Sequence, residues 1–195
     1  MTHALVLSGG GGTRLGGIVP KQYMEVNNRC VISYCLHTLS YSEYIDTIRI
    51  VADRRWHGVI TDCLKKYGGT GKFRGFSKPG ENRQMSIFYG LNDIMEYADA
   101  SDVVFIHDAA RPCVSAAQIT DCLKAAKVFL LGKYYEANRA LLPDKILEIN
   151  GSTEPAVMAG MDIVMIPGDE RNFKITTAAD LERFREIVQK GGCMI

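Results

Sequence analysis

Apolar and polar residues fall in blocks along this chain, and the blocks alternate between a period of two and a period near 3.6. Ala4-Leu5-Val6-Leu7 is a short β-like run that breaks at once into Ser8 and four glycines. Cys30 to Leu39 sets Val31, Ile32, Cys35, Leu36 and Leu39 on one helical stripe, and Ile45 to Val51 predicts a second strand. A helix is expected over Val59–Tyr67, stopped by Gly68-Gly69, then a short strand over Phe73–Phe76. Asn82 is placed to cap a helix that buries Met85, Ile87, Phe88, Leu91, Ile94 and Met95. Val103 to Ile106 is wholly apolar, as expected of a strand covered on both faces. Ser115 and Gln118 make a capping box for a helix running to about Lys127. A further strand is predicted over Ile163–Ile166. Thr177 then caps a last helix, Ala178–Lys190, ended by Gly191-Gly192.

Strand and helix alternate, so the pattern predicts an α/β fold with a mainly parallel sheet flanked by helices. One place is out of step. Beyond Lys127 the chain passes through Val128-Phe129-Leu130-Leu131 straight into Gly132–Ala137, which is helical again. Helix directly after helix does not fit a βαβ fold. Either the four apolar residues are a stub of strand, or residues are missing at this junction.

Composition narrows the class. The 195 residues suit one domain over 1–195, and 47% hydrophobic with 23% charged residues is ordinary for a globular chain. A net charge of +1 provides no global field for nucleic acid or an anionic membrane, so neither partner is expected. No stretch approaches a membrane span, and Ala4–Leu7 is too short for a signal peptide, which makes the cytoplasm the expected location. Six cysteines without a C-x-x-C pair are expected to be reduced, mostly buried thiols.

The chemistry gathers first at Ser8-Gly9-Gly10-Gly11-Gly12-Thr13-Arg14-Leu15-Gly16-Gly17, at the carboxyl end of the first strand, where open sheets bind ligands. Glycines let backbone N–H groups approach an anion with no Cβ in the way; a plain flexible turn has the same composition. No window fits G-x-G-x-x-G, since Gly9 and Gly11 lead to Arg14, and Gly10 and Gly12 lead to Leu15. There is no G-K-[ST] either, so dinucleotide oxidoreductases and P-loop ATPases both lose ground.

What remains is Gly-Gly-x-Gly-Thr-Arg followed by Pro20-Lys21-Gln22. This pattern resembles nucleotidyltransferases that activate sugars and polyol phosphates. Three further segments narrow it: Gly80-Glu81-Asn82-Arg83-Gln84-Met85-Ser86, His107-Asp108-Ala109-Ala110-Arg111-Pro112 and Asn172-Phe173-Lys174-Ile175-Thr176. In order and spacing they resemble the cytidylyltransferases acting on 2-C-methyl-D-erythritol 4-phosphate, and their ribitol 5-phosphate relatives. The resemblance spans residues 4–127 and, less evenly, 128–190.

The resemblance implies a Rossmann-like fold of the nucleotide-diphospho-sugar transferase type, CTP and a polyol phosphate as substrates, Mg²⁺ as cofactor and a homodimer. It implies that Arg14, Lys21 and Lys174 neutralise the triphosphate and act in catalysis. Ser8, Gly9, Gly10, Gly11, Gly12, Thr13, Gly80, Glu81, Arg83, Ser86 and Ala109 would bind the nucleotide, Glu81 standing where the family usually has aspartate. Asp108 would serve both the metal and the substrate, and Arg111 the acceptor phosphate. His3, His37 and His57 make no metal spacing and are expected to pack or lie on the surface; His107 is expected to be structural, and Trp56 to anchor a loop.

Members of the family also carry, after the helix that follows Asp108, several tens of residues that this chain lacks, including part of the acceptor site and an arm reaching across a dimer. A genuine deletion would leave a nucleotide-binding protein without turnover. The expectation is instead an arm segment missing from this sequence at about 127/128, because losing a strand and its helix should exceed the roughly 5–15 kcal/mol by which a domain is stable.

Overall fold

The computed structural model describes residues 1–11, 19–125, 130–149 and 151–193. The strands are Thr2–Leu7 (β1), Glu25–Val26 (β2), Arg29–Cys30 (β3), Thr47–Val51 (β4), Phe73–Ser77 (β5) and Val103–Asp108 (β6). The helices are Val31–Tyr41 (α1), His57–Tyr67 (α2), Arg83–Met95 (α3), Ala116–Ala125 (α4), Leu131–Arg139 (α5), Lys145–Glu148 (α6), Glu154–Met158 (α7) and Ala178–Gln189 (α8).

β1, β4, β5 and β6 form one parallel sheet in the spatial order β5-β4-β1-β6, with Leu5 opposite both Arg49 and Ile106. Strand alternation gives the sheet two apolar faces. Ala4 and Val6 point to one, where Ile32, Leu36, Leu39, Ile60, Leu64 and Ile119 of α1, α2 and α4 cover them. Leu5 points to the other, under Ile87, Leu91 and Ile94 of α3 and Leu131 and Tyr134 of α5. Each such Val, Leu or Ile contributes about 1.5–3 kcal/mol on burial, which makes this two-faced core the main source of stability.

The predicted caps are present. Asn82 Oδ1 accepts from Met85 N at 2.7 Å. Ser115 and Gln118 exchange hydrogen bonds at 3.1 and 3.2 Å. Thr177 and Asp180 form a full capping box at α8. At the end of the sheet away from these motifs, His3 is buried, with Nδ1 2.8 Å from Thr47 Oγ1 and Nε2 2.9 Å from Asp102 Oδ2. Burial raises the Asp102 carboxyl, but hydrogen bonds from the N-terminal amine, His3 and the Asp99 N–H outweigh it and hold the pKa at about 2.

Several expectations need correction. Ile163–Ile166 is not a strand but irregular chain, with Val164 62% and Met165 91% exposed; among the described residues no strand lies beside it to take its backbone groups. β2 and β3 form a hairpin the pattern did not predict, turned by Asn27 and Asn28 at φ 53° and 57°. Asparagine tolerates that left-handed backbone better than most residues. Cys113 and Cys193 form a disulfide with Cα atoms 5.7 Å apart, so those two are not free thiols as expected. α4 is described as far as Ala125, and the remainder of the expected helix with the Lys127/Val128 junction lies outside the described residues. Just after it, Leu130 makes a single antiparallel bridge to Val103, a stub and no more.

Candidate active site

Numbered by their order in the chain, the four sheet strands lie 3-2-1-4. The order reverses between β1 and β6, and ligands of open α/β sheets bind in the crevice outside the strand ends at that reversal. Here the crevice is a cleft of about 400 Å³ between the glycine loop after β1, the end of β6 and the start of α3. Gly9, Gly10, Gly11 and Lys21 form one wall; Gly80, Glu81, Arg83 and Ser86 another; Asp108, Lys174 and Thr176 the floor and far side.

Of the loop, Gly12, Thr13 and Arg14 lie outside the described residues. Among the described residues, none accepts a hydrogen bond from the N–H groups of Gly9, Gly10 or Gly11. A row of unpaired amides on a cleft wall is a ready site for an anion. Glycine is needed at Gly9 for close approach: a Cβ there would stand 2.6 Å from Pro79 Cβ. At Gly10 and Gly11 a Cβ would meet nothing within 4 Å, so those positions face open space.

The loop is tied down from beneath. Pro20 leads into a single turn, Lys21–Tyr23, that presents Lys21 to the cleft and buries its next two side chains. Gln22 Nε2 donates to the carbonyls of Ser8 at 2.9 Å and Gly10 at 2.8 Å. The Tyr23 hydroxyl lies 2.8 Å from Ser8 Oγ and 3.0 Å from the Ser8 carbonyl. Burial raises the Tyr23 pKa to about 12, so it stays a donor. Its ring stacks on Trp56 at 4.3 Å, which makes Trp56 the loop anchor expected of it. Ser8 itself is buried, with its amide bonded to Val51 O at 2.8 Å, so it anchors the loop and does not line the cleft.

Asp108 ends β6 inside a ring of cations. Its Oδ1 accepts from Arg83 Nε and Nη2 at 3.1 and 3.0 Å; its Oδ2 lies 3.1 Å from Lys174 Nζ and 3.8 Å from Arg111 Nε. Burial pushes this carboxyl up, but Arg83 and Lys174 outweigh it and hold it below the ordinary carboxylate value. Lys174 is presented by a segment pinned just after it: Ile175 N donates to Ala110 O at 2.9 Å, and Thr176 N to Asp180 Oδ2 at 2.8 Å.

The Gly80 wall depends on its cap. Gly80 N donates to Ser86 Oγ at 2.9 Å, and Ser86 Oγ donates to Asn82 O at 2.9 Å. A Cβ at Gly80 would stand 2.6 Å from Met85 Cβ. Asn82 also turns its Nδ2 to the carbonyls of Ile146 and Leu147 at 2.9 and 3.0 Å, joining this wall to α6.

Arg111 and Ala109 stand apart from the cleft wall. The Arg111 guanidinium donates to Asn172 O at 2.8 Å, and buried Ala109 gives its N–H to Leu7 O at 3.0 Å. His107 is buried, with Nε2 2.9 Å from Arg111 O, and burial lowers its pKa, consistent with a structural neutral imidazole. Gln22, Tyr23 and Asn82 are the functional-site residues missed as such. The signal for the first two was their place beside Lys21, but a brace between residues 14 apart is legible only in three dimensions.

A parallel sheet with an amide-lined glycine loop and paired lysines at its order reversal defines a Rossmann-like α/β protein built to hold a nucleotide phosphate. A family model described as 2-C-methyl-D-erythritol 4-phosphate cytidylyltransferase (IspD) matches residues 2–133, and the chain belongs to that family. A ribitol-5-phosphate cytidylyltransferase of Vibrio parahaemolyticus is 28% identical over 229 residues, covering 96% of each chain. A 2-C-methyl-D-erythritol 4-phosphate cytidylyltransferase of Thermotoga neapolitana is 28% identical over 231 residues, covering 97% of this chain and 98% of its own. Both alignments are longer than the 195 residues here, so both relatives carry residues that this chain lacks. The crystal structure of 4-diphosphocytidyl-2C-methyl-D-erythritol synthase from Anaerococcus prevotii superposes with a TM-score of 0.78 at 20% identity, over 96% of each chain, and shares the fold.

Proposed function

We propose that this cleft transfers the cytidylyl group of CTP to the phosphate of a polyol phosphate, 2-C-methyl-D-erythritol 4-phosphate first among them, and releases pyrophosphate. The observation that carries the reading is the row of unpaired Gly9–Gly11 amides in a cleft also lined by Lys21, Arg83 and Lys174. An acceptor phosphate oxygen bonds to the α-phosphorus. The bond from that phosphorus to the bridging oxygen breaks, and pyrophosphate leaves with the electron pair. The attacking phosphate is already ionised at neutral pH, so no strong general base is required. The barrier lies in bringing two polyanions together, and fixed cations and amides lower it by stabilising charge on the transferring group. Lys21 and Lys174 serve there with Arg14, and Gly80, Glu81 and Ser86 border the base and ribose.

Mg²⁺ belongs to the same proposal. Among the described residues no three His, Cys, Asp or Glu side chains group together. Asp108, in the cleft lining, is the carboxylate that would hold a hard cation together with phosphate oxygens and water. When bound, the ion would supply Lewis-acid neutralisation of the triphosphate. Both Asp108 oxygens already carry cation contacts, so Lys174 and Arg83 would have to turn from it toward the phosphates for Asp108 to hold the ion.

The expected homodimer is supported by the exposed apolar side chains of Val157, Met158, Val164 and Met165. No helix among the described residues is long and apolar enough to cross a membrane, and the cytoplasm, where CTP is made, is the proposed location. The test is pyrophosphate release with Mg²⁺, CTP and either acceptor; silence with both from intact protein refutes the reading. Ribitol 5-phosphate is the second acceptor, favoured by the Vibrio relative that aligns over nearly the whole chain. CTP binding without turnover would identify a nucleotide-binding protein, the outcome expected if the residues lacking here are a genuine deletion.

A further inference from the structure

A loop of glycines has no side chains of its own to hold its path, and glycine loses more conformational freedom on ordering than any other residue. If the Ser8–Gly11 segment were loose, nucleotide binding would have to bear that ordering cost. Gln22 removes it. The side chain is 3% exposed, and its one amide nitrogen spends both hydrogens on the Ser8 and Gly10 carbonyls, bracketing Gly9. The Tyr23 hydroxyl reaches the same Ser8 carbonyl from the stack on Trp56. Brace and Lys21 come from one three-residue turn, so the ammonium and the glycine amides are held in a single fixed relation.

We infer that Gln22 is a positioning residue for the triphosphate: its carboxamide holds the Ser8 and Gly10 carbonyls from beneath so that the Gly9–Gly11 amides stay turned to the nucleotide. The inference rests on the functional reading above. It also explains why glutamine is required. Glutamate has the same shape, but it donates nothing and would set a carboxylate against two carbonyls. Alanine would leave the Gly10 carbonyl without its side-chain donor and the Ser8 carbonyl with the Tyr23 hydroxyl alone.

The experiment compares wild type, Gln22→Glu, Gln22→Ala and Tyr23→Phe. It measures CTP·Mg²⁺ affinity by calorimetry, the KM for each substrate with kcat, and the melting midpoint. The Gln22 variants are expected to weaken CTP binding and raise its KM about tenfold or more, leaving the acceptor KM within about twofold. Tyr23→Phe keeps the stack and loses one hydroxyl, so it gives a smaller shift in the same direction and carries the test if the Gln22 variants do not fold. A folded Gln22→Glu that binds CTP like wild type overturns the inference, as does an equal rise in both KM values. If Tyr23→Phe is the only folded variant, wild-type affinity in it overturns the inference. Wild type that binds no CTP overturns the proposed function and this inference with it.

Discussion

Gly9→Ala tests the close approach on which the cleft is built. The added Cβ would stand 2.6 Å from Pro79 Cβ, whereas carbons in contact prefer about 3.5–4.0 Å. About 1 Å must therefore be found. Pro79 is poorly placed to yield, because the next residue, Gly80, is held to Ser86 Oγ at 2.9 Å. The loop moves instead and takes its amides with it. A displacement of that size in a positioned group costs about 100-fold in rate, roughly 2.7 kcal/mol at the transition state. Overpacking adds a stability loss of about 1–3 kcal/mol. The assay is pyrophosphate release with CTP varied at saturating acceptor, alongside a denaturant melt. Gly71→Ala is the control, since a Cβ there meets nothing within 4 Å. A Gly9→Ala protein whose kcat/KM for CTP matches that of Gly71→Ala would refute the reasoning.

Lys21→Ala should lower kcat/KM by about 100- to 1,000-fold, the scale of losing one transition-state contact. His57→Ala, which loses a stack on Phe76 at 3.7 Å and the contact of Nε2 with Ala52 O at 3.1 Å, should leave it unchanged and cost about 1–2 kcal/mol of stability in the same melts. The Asp108 carboxyl is held below its ordinary value in the folded protein, so below about pH 4 the unfolded chain binds more protons. Its contribution is thus present at neutral pH and lost as the pH falls through the folded value. The stability gap between wild type and Asp108→Asn, from denaturant melts at pH 7, 5 and 3, should be widest at pH 7 and shrink below pH 4. Gly58→Ala, near the start of α2 in open space, should stabilise by about 0.5 kcal/mol in a thermal melt.

What the sequence could reveal was local. The strands at Ala4–Leu7 and Val103–Ile106 show because they are buried on both faces, and the caps at Asn82, Ser115 and Thr177 because a cap is a contact between near neighbours. Ile163–Ile166 misled because an apolar run says nothing of whether a strand lies beside it. The Asn27-Asn28 hairpin escaped because its strands are two residues long, too short for any period to show. Cys113 and Cys193 are 80 residues apart, and no spacing rule reaches that far. The site divides in the same way. Motifs named Lys21, Asp108 and Lys174, but that Arg83 and Lys174 both close on Asp108 depends on how β6, α3 and the segment before α8 meet. Arg111 divides likewise: its motif suggests a phosphate, and only the fold shows its guanidinium on the Asn172 carbonyl and 3.8 Å from Asp108.

Asn82 has a consequence for how this protein can drift in evolution. One end of its side chain caps α3 and so shapes the Gly80 wall; the other grips two carbonyls 64 and 65 residues further on. Ile146 and Leu147 lend no side chain to the cleft, yet they bear on its wall through their backbone. Selection at Leu147 acts on the path of the chain more than on the identity of the letter, whereas Ile146 is fully buried against Phe88, Leu141 and Ile149 and must stay apolar. Exposed Leu147 can be exchanged for most residues that keep the turn. Proline is the exception, because it would remove the Leu147 N–H bond to Asp144 O at 3.1 Å that sets the path. A lineage could rewrite the exposed positions of that stretch, with Ile146 and Ile149 kept apolar, and keep the same nucleotide wall.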